Sequence, residues 1–198
     1  MDTDKKPEPL DLGPVCQETA RVVGGVAEQH LSGVTPCPAY TVREVLAHLM
    51  GLTVGFRDAA RKELGPTTDT APGSAPLVLD EEWRETLPRR LDELAAAWRS
   101  PAAWEGRTRI GGVDLPGAVT GLVALNEVLI HGWDLARSTG QPYAPAEAGL
   151  RASYGMLSQA GPGASDVFGP PVPTAEDAPL LDRVIGLSGR RPDWRPGV

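Results

Sequence analysis

Thr120, Glu127, His131 and Asp134 are polar residues in a stretch where nearly everything else is apolar. Glu127 precedes His131 by four residues and Asp134 follows it by three, spacings that stack side chains on one face of a helix. At about 100° per residue, all four fall in one strip roughly 60° wide. Their neighbours are Val119, Leu122, Val123, Leu125, Val128, Leu129, Ile130, Trp133 and Leu135, so the helix is apolar on most sides and reads as buried. A carboxylate and an imidazole carried into a core must be paired or bound to a metal.

The chain has three histidines, His30, His48 and His131. His48 lies on a second amphipathic segment, at the border of its apolar stripe beside Val45 and Leu52. Two imidazoles and a carboxylate are the ligand set of several catalytic zinc sites, which leave a fourth position to water or substrate. Helix bundles build such sites from facing helices. His48, Glu127 and His131 are therefore candidate ligands. Asp134 is placed to hold the second ring nitrogen of His131, or else to face solvent. Two plainer readings stand beside this one: the strip is the wet face of a helix, or the histidines hydrogen-bond to carboxylates without a metal. The narrowness of the strip and the lack of Lys or Arg before Arg137 count against the wet face. His30, beside Glu28 and Gln29, reads as a surface histidine. Cys37, between two prolines ahead of a helix start, reads as a packed loop thiol or as one of lowered pKa. The sequence contains no Gly-rich phosphate loop and no Gly-x-Ser-x-Gly elbow.

The elements that position these residues follow from periodicity and end signals. Helices are expected at about 9–31, 41–62, 80–99 and 117–138. Gly24-Gly25 marks a bend or a close approach in the first. Thr41 and Glu44 form a capping box for the second, which fixes where His48 points. Asp80 is expected to cap the third, whose acidic start and basic end suit the helix dipole, with a kink or break before Pro88. Residues 65–79 read as a long connection, and Gly111-Gly112 as the turn of a small hairpin. The fourth helix ends near Gly140 and Pro142. A fifth is expected at about 146–160, with Pro145 in its first turn. After GPGAS the tail VFGPPVPTAEDAP is expected to be extended, before a short last helix at 179–187. Residues 1–8 read as a frayed start. The expected fold is mainly α, an up-and-down four-helix bundle with additions, in one domain over 1–198 (core about 10–160, tail 161–198).

With 19 basic and 26 acidic residues the net charge is −7, and no basic cluster stands out, which argues against nucleic acid as a partner. Two cysteines make neither a disulfide framework nor a zinc ribbon. The N-terminus lacks the apolar run of a signal peptide, and no stretch approaches about 18 apolar residues, so no membrane span is expected. A soluble cytoplasmic protein is the expectation.

TPCPAYTVREVLAHLMGL, followed far downstream by NEVLIHGWDLARSTGQP, resembles the metal-binding N-terminal domain of mycothiol-dependent maleylpyruvate isomerase, within the DinB-like four-helix superfamily. The ending FGPPVPTAEDAPLLDRVIGLSGRRPDW is similar to that of a single-domain branch of the same family. The resemblance implies a DinB-like four-helix bundle with an added short helix and an extended C-terminal tail. It implies a divalent metal (zinc, with nickel or iron as alternatives) held by His48, Glu127 and His131. It further implies a low-molecular-weight thiol, mycothiol or bacillithiol, as cosubstrate, and a small electrophilic substrate for isomerisation or thiol transfer. The isomerase continues into a C-terminal domain that helps form its active site, for which this chain is expected to have no counterpart. The alternatives are a non-enzymatic bundle that binds metal or a partner, and a metal-free bundle.

Overall fold

The computed structural model describes residues 9–71, 73–74, 76–159 and 169–196. The helices α1 (Gly13–Gly24), α2 (Val42–Arg61), α4 (Trp83–Trp98) and α6 (Gly117–Thr139) surround the core, with α1 and α2 each packed on both α4 and α6. Two single-turn helices, α3 (Pro66–Asp69) and α5 (Pro101–Trp104), lie between them, and α7 (Glu147–Gln159) and α8 (Leu180–Leu187) follow. Val22, Leu46, Leu49, Leu87, Leu91, Leu94, Trp98, Leu125 and Leu129 are fully withdrawn from water. Each such aliphatic side chain contributes roughly 1.5–3 kcal/mol on leaving solvent. The mainly α fold expected from the sequence is the one observed.

Two elements that place the site form as expected. Thr41 is the N-cap of α2: its Oγ1 accepts from Glu44 N–H at 3.4 Å, and Glu44 Oε2 accepts from Thr41 N–H at 2.7 Å. That closes the capping box and sets His48 two turns into the helix. α6 is buried at every residue from Ala124 to Ala136, and it stops where Gly140 turns left-handed at φ 68°. The hairpin is present as β1 (Arg107–Ile110) antiparallel to β2 (Val113–Pro116), with Gly111 and Gly112 at φ 60° and 78°. Two positive φ values in a row make the turn type I′.

Other boundaries differ. The first helix ends at Gly24, with Gly25 as its C-cap, and the chain continues through a 3-10 turn at Glu28–His30. Gln141 Nε2 donates to Val22 O at 2.9 Å, so the open carbonyl end of α1 is satisfied from the loop after α6. α4 starts at Trp83 and runs through Pro88 as one helix. The proline removes only the bond that Arg84 O would have accepted, and the buried Leu87 and Leu91 on either side hold the helix to the core. Asp80 does not cap it: its Oδ1 accepts from Glu82 N–H at 2.8 Å and shapes the turn before. Arg99, expected in the last turn, is the C-cap. The 65–79 connection contains α3, started by Pro66 and closed by Thr68 Oγ1 on Gly65. Pro145 lies outside α7, whose first carbonyl acceptor is Ala146, at 3.2 Å from Leu150 N. The frayed start at 1–8, residue 160, GPGAS and the first two tail residues lie outside the described residues. Residues 169–178 carry no regular helix or strand. Among the described residues no helix is long and apolar enough to cross a membrane.

Candidate metal centre

α2 and α6 pack against each other, and where they meet they bring together His48, Glu127 and His131, one ligand atom from each lying within 4.8 Å of the others. Glu127 Oε2 is 3.2 Å from His48 Nε2 and 3.4 Å from His131 Nε2. A tetrahedral ion with nitrogen and oxygen ligands at about 2.0–2.1 Å spaces those ligands about 3.3–3.4 Å apart, so the donors fit such an ion in type and in these two separations. The two imidazole rings stand edge to face, 4.9 Å between centroids. Tyr40, from the loop before α2, stands beside both, 5.3 Å from His48 and 6.2 Å from His131.

The other nitrogen of His131 is also held. Nδ1–H donates to Asp134 Oδ2 at 3.0 Å, as the spacing of three allowed. Asp134 in turn accepts from Arg190, Nη2 to Oδ2 at 3.1 Å and Nε to Oδ1 at 3.4 Å. None of this strip faces water: Thr120 and Asp134 are fully buried, with Glu127 9% and His131 5% exposed. The wet-face reading is therefore wrong, and so is a solvent-facing Asp134. The side chain of His48, 24% exposed, is the cluster's nearest approach to solvent.

With both imidazoles neutral, Glu127 and Asp134 bring two negative charges against the one positive charge of Arg190, so balance in this buried place needs one further positive charge. Burial alone would raise the Glu127 carboxyl, but hydrogen bonds from His131 and His48 outweigh it and hold the group well below the usual carboxylate range. Burial alone would lower His131, but Asp134 and then Glu127 outweigh it and lift the imidazole to about 9. The cluster thus attracts a cation, a proton or a metal ion.

His30 and Cys37 lie outside the cluster. His30 is half-buried rather than a free surface group, its Nδ1 accepting from Ala27 N–H at 3.1 Å. Cys37 is buried, and burial raises its thiol pKa in spite of the nearby Arg190, so the packed-thiol reading holds and the activated one fails. Sequence reasoning missed the roles of Tyr40 and Arg190. Both lay inside quoted stretches, TPCPAY and GRRPDW, but no helical spacing ties either to His131. Two clefts, of about 360 Å³ along Val172, Asp182 and Arg191 and about 390 Å³ along Arg61, Lys62 and Ala97, lie on other parts of the surface.

Residues 12–136 match the model of the mycothiol maleylpyruvate isomerase N-terminal domain. The chain belongs to that family. Relatives within reach of sequence comparison include the uncharacterized proteins MT0763 and Rv0738 of two Mycobacterium tuberculosis strains. Each is 26% identical over 187 residues, covering 86% of this chain and 91% of the relative. The crystal structure of the mycothiol-dependent maleylpyruvate isomerase has the same fold, with a TM-score of 0.60 at 17% identity, over 92% of this chain and 88% of that one. A histidine-to-alanine mutant of the isomerase gives 0.59 at 16% identity. This breadth corrects one expectation. A match over 92% of the chain must extend well past residue 136, so the region after the family's N-terminal domain has a structural counterpart in the isomerase. The reason is visible in the packing: α7 lies on α6 and α8 on α7, and the segment after α8 returns to Asp134.

Proposed function

We propose that this family member is a divalent-metal enzyme of thiol chemistry, using mycothiol as cosubstrate and a small electrophile as substrate. His48, Glu127 and His131 would hold the ion, zinc first, with nickel or iron as alternatives. The observation that carries the reading is the convergence of two imidazole nitrogens and a carboxylate oxygen at 3.2 and 3.4 Å in a buried cluster. When bound, a zinc ion with a free position supplies a Lewis acid that favours the thiolate form of a thiol. Addition of that thiolate to an activated double bond would serve isomerisation, and displacement would serve conjugation.

The chain's own residues have definable tasks. Asp134 holds the Nδ1 proton of His131, so that loss of the other proton turns the Nε2 lone pair toward the other donors. In the metal-free protein, hydrogen bonds from the imidazoles of His131 and His48 keep Glu127 ionised. The apolar residues of α6 around the strip and the Tyr40 ring beside both imidazoles make a low-dielectric setting, which strengthens every charge interaction within. A cytoplasmic setting, where the free thiols Cys16 and Cys37 stay reduced, belongs to the same reading.

Metal content of protein purified without an affinity tag tests the site, with about one ion per chain expected. Calorimetric titration of mycothiol into apo and loaded protein tests the thiol role. Heat only in the loaded protein supports it, while equal binding to both, or to neither at millimolar thiol, defeats it. The deep burial of Glu127 and His131 favours one alternative, an ion that only fastens α2 to α6. A closed four-ligand shell would establish that alternative, and an exchangeable water the enzyme.

A further inference from the structure

Arg190 brings the C-terminal part of the chain to the cluster. α8 ends in a Schellman turn: Gly189 N–H bonds to Gly186 O at 3.0 Å and Arg190 N–H to Ile185 O at 3.2 Å, with Gly189 at φ 78°. A side chain at 189 is excluded twice, by that φ and by the Gly169 backbone, which its Cβ would strike. The turn throws Arg190 inward, to 7% exposure. Its Nε and Nη2 meet the two oxygens of Asp134, and Nη1 donates to Ser188 O at 2.9 Å. In the opposite sense, Arg137 of α6 donates to the carbonyls of Pro192 and Trp194 at 3.3 and 2.7 Å. Two arginines, one from each side, clip residues 188–194 to the helix that carries Glu127 and His131.

We propose that Arg190 is a positioning residue of the metal centre, acting through Asp134, so that docking of the 188–194 segment and binding of the cation stabilise each other. The proposal rests on the metal reading above. A fully buried Asp134 carboxylate without a cation beside it would turn away or take up a proton. The planar guanidinium fork prevents both, because it fixes the carboxylate plane and aims Oδ2 at His131 Nδ1–H. A shift of Asp134 would free the imidazole to rotate or to change tautomer, and Nε2 would leave the cluster. Linkage is reciprocal: whatever helps the segment hold His131 in place for the ion lets the ion hold the segment.

The test is zinc affinity, measured by competition with a chromophoric chelator, for the full chain and for Arg190→Met, Arg190→Lys, Asp134→Asn and the Arg190→Met/Asp134→Asn double variant. It is joined by hydrogen exchange of the 188–194 amides with and without zinc. Asp134→Asn and Arg190→Met should each weaken zinc binding roughly 10- to 100-fold, with Arg190→Lys between them and wild type. The double variant should bind no worse than Asp134→Asn alone, because Arg190 acts only through the carboxylate. Zinc should slow exchange in 188–194 of the wild type. Unchanged affinity in a folded Arg190→Met, an equal further loss in the Asp134→Asn background, or exchange in 188–194 that ignores zinc would each overturn the proposal. If Arg190→Met does not fold, Arg190→Lys and the wild-type exchange decide. A wild type that binds no zinc would instead defeat the metal reading itself.

Discussion

Two charged networks in this molecule use the same chemical groups to different ends. The first joins α2, α3 and α4. Arg57 pairs with Asp58 at 2.8 Å and Glu93 at 2.7 Å, Arg89 pairs with Glu93 at 2.7 Å, and Thr67 Oγ1–H donates to Asp58 at 2.7 Å. Two guanidinium groups face two carboxylates, and the side chains of Arg57 and Glu93 remain 22% and 29% exposed. The second is the line Arg190, Asp134, His131, Glu127, His48, buried and balanced only when a proton on His131 or another cation joins it. The balanced network needs nothing further and fastens three elements together. The second takes up a proton or a metal ion to reach balance, because an uncompensated charge in a low-dielectric place is costly. Charge imbalance, more than the presence of histidines, separates a site from a staple.

The sharpest way to break this comparison is to remove the donors. His48→Ala, Glu127→Ala and His131→Ala should each lower zinc affinity more than about 100-fold and erase the gain in melting temperature on adding metal, while His30→Ala changes neither. Metal analysis and thermal scans read both effects, and wild-type stoichiometry in His48→Ala would refute the three-residue site. Next in size is the pH dependence of metal-free protein. The imidazole of His131 titrates at about 9 in the folded chain, above its unfolded value of about 6.5. Its contribution is therefore complete below about pH 6.5 and lost as pH rises through 9. Melting temperature in chelator should fall across that window, and zinc should flatten the fall, since the ion replaces the proton. A flat profile without metal would remove the case for an excess negative charge.

Smaller effects define the other side of the comparison. Thr41→Ala deletes the cap that sets the start of α2 and should cost about 1 kcal/mol in chemical denaturation, with His48 still able to reach Glu127. Arg57→Ala should cost about 1 kcal/mol or less and leave zinc affinity unchanged, because its network is partly solvated and separate from the cluster. A loss of metal in Arg57→Ala would show that the two networks are coupled after all.

Much of this protein was legible in its order of residues. The Thr41 cap, the Gly111-Gly112 turn, the Gly140 stop and the shared face of Glu127, His131 and Asp134 all depend on residues within a few positions of one another, where backbone geometry converts spacing directly into contact. His48 was legible as well, since an amphipathic helix carrying a border histidine has few places to direct it. Burial of the strip was readable from the apolar residues around it.

Tertiary structure alone decided the rest. Whether the first helix ends at Gly24 depends on Gln141, more than a hundred residues away, and whether Pro88 breaks α4 depends on what holds Leu87 and Leu91 in the core. The identity of the cation beside Asp134 depended on a turn after α8, 56 positions downstream, and the place of Tyr40 on how its loop folds over the two imidazoles. Such pairs have no period to mark them. They are chosen by packing, which sums many weak contacts over the whole chain before any two distant groups can meet.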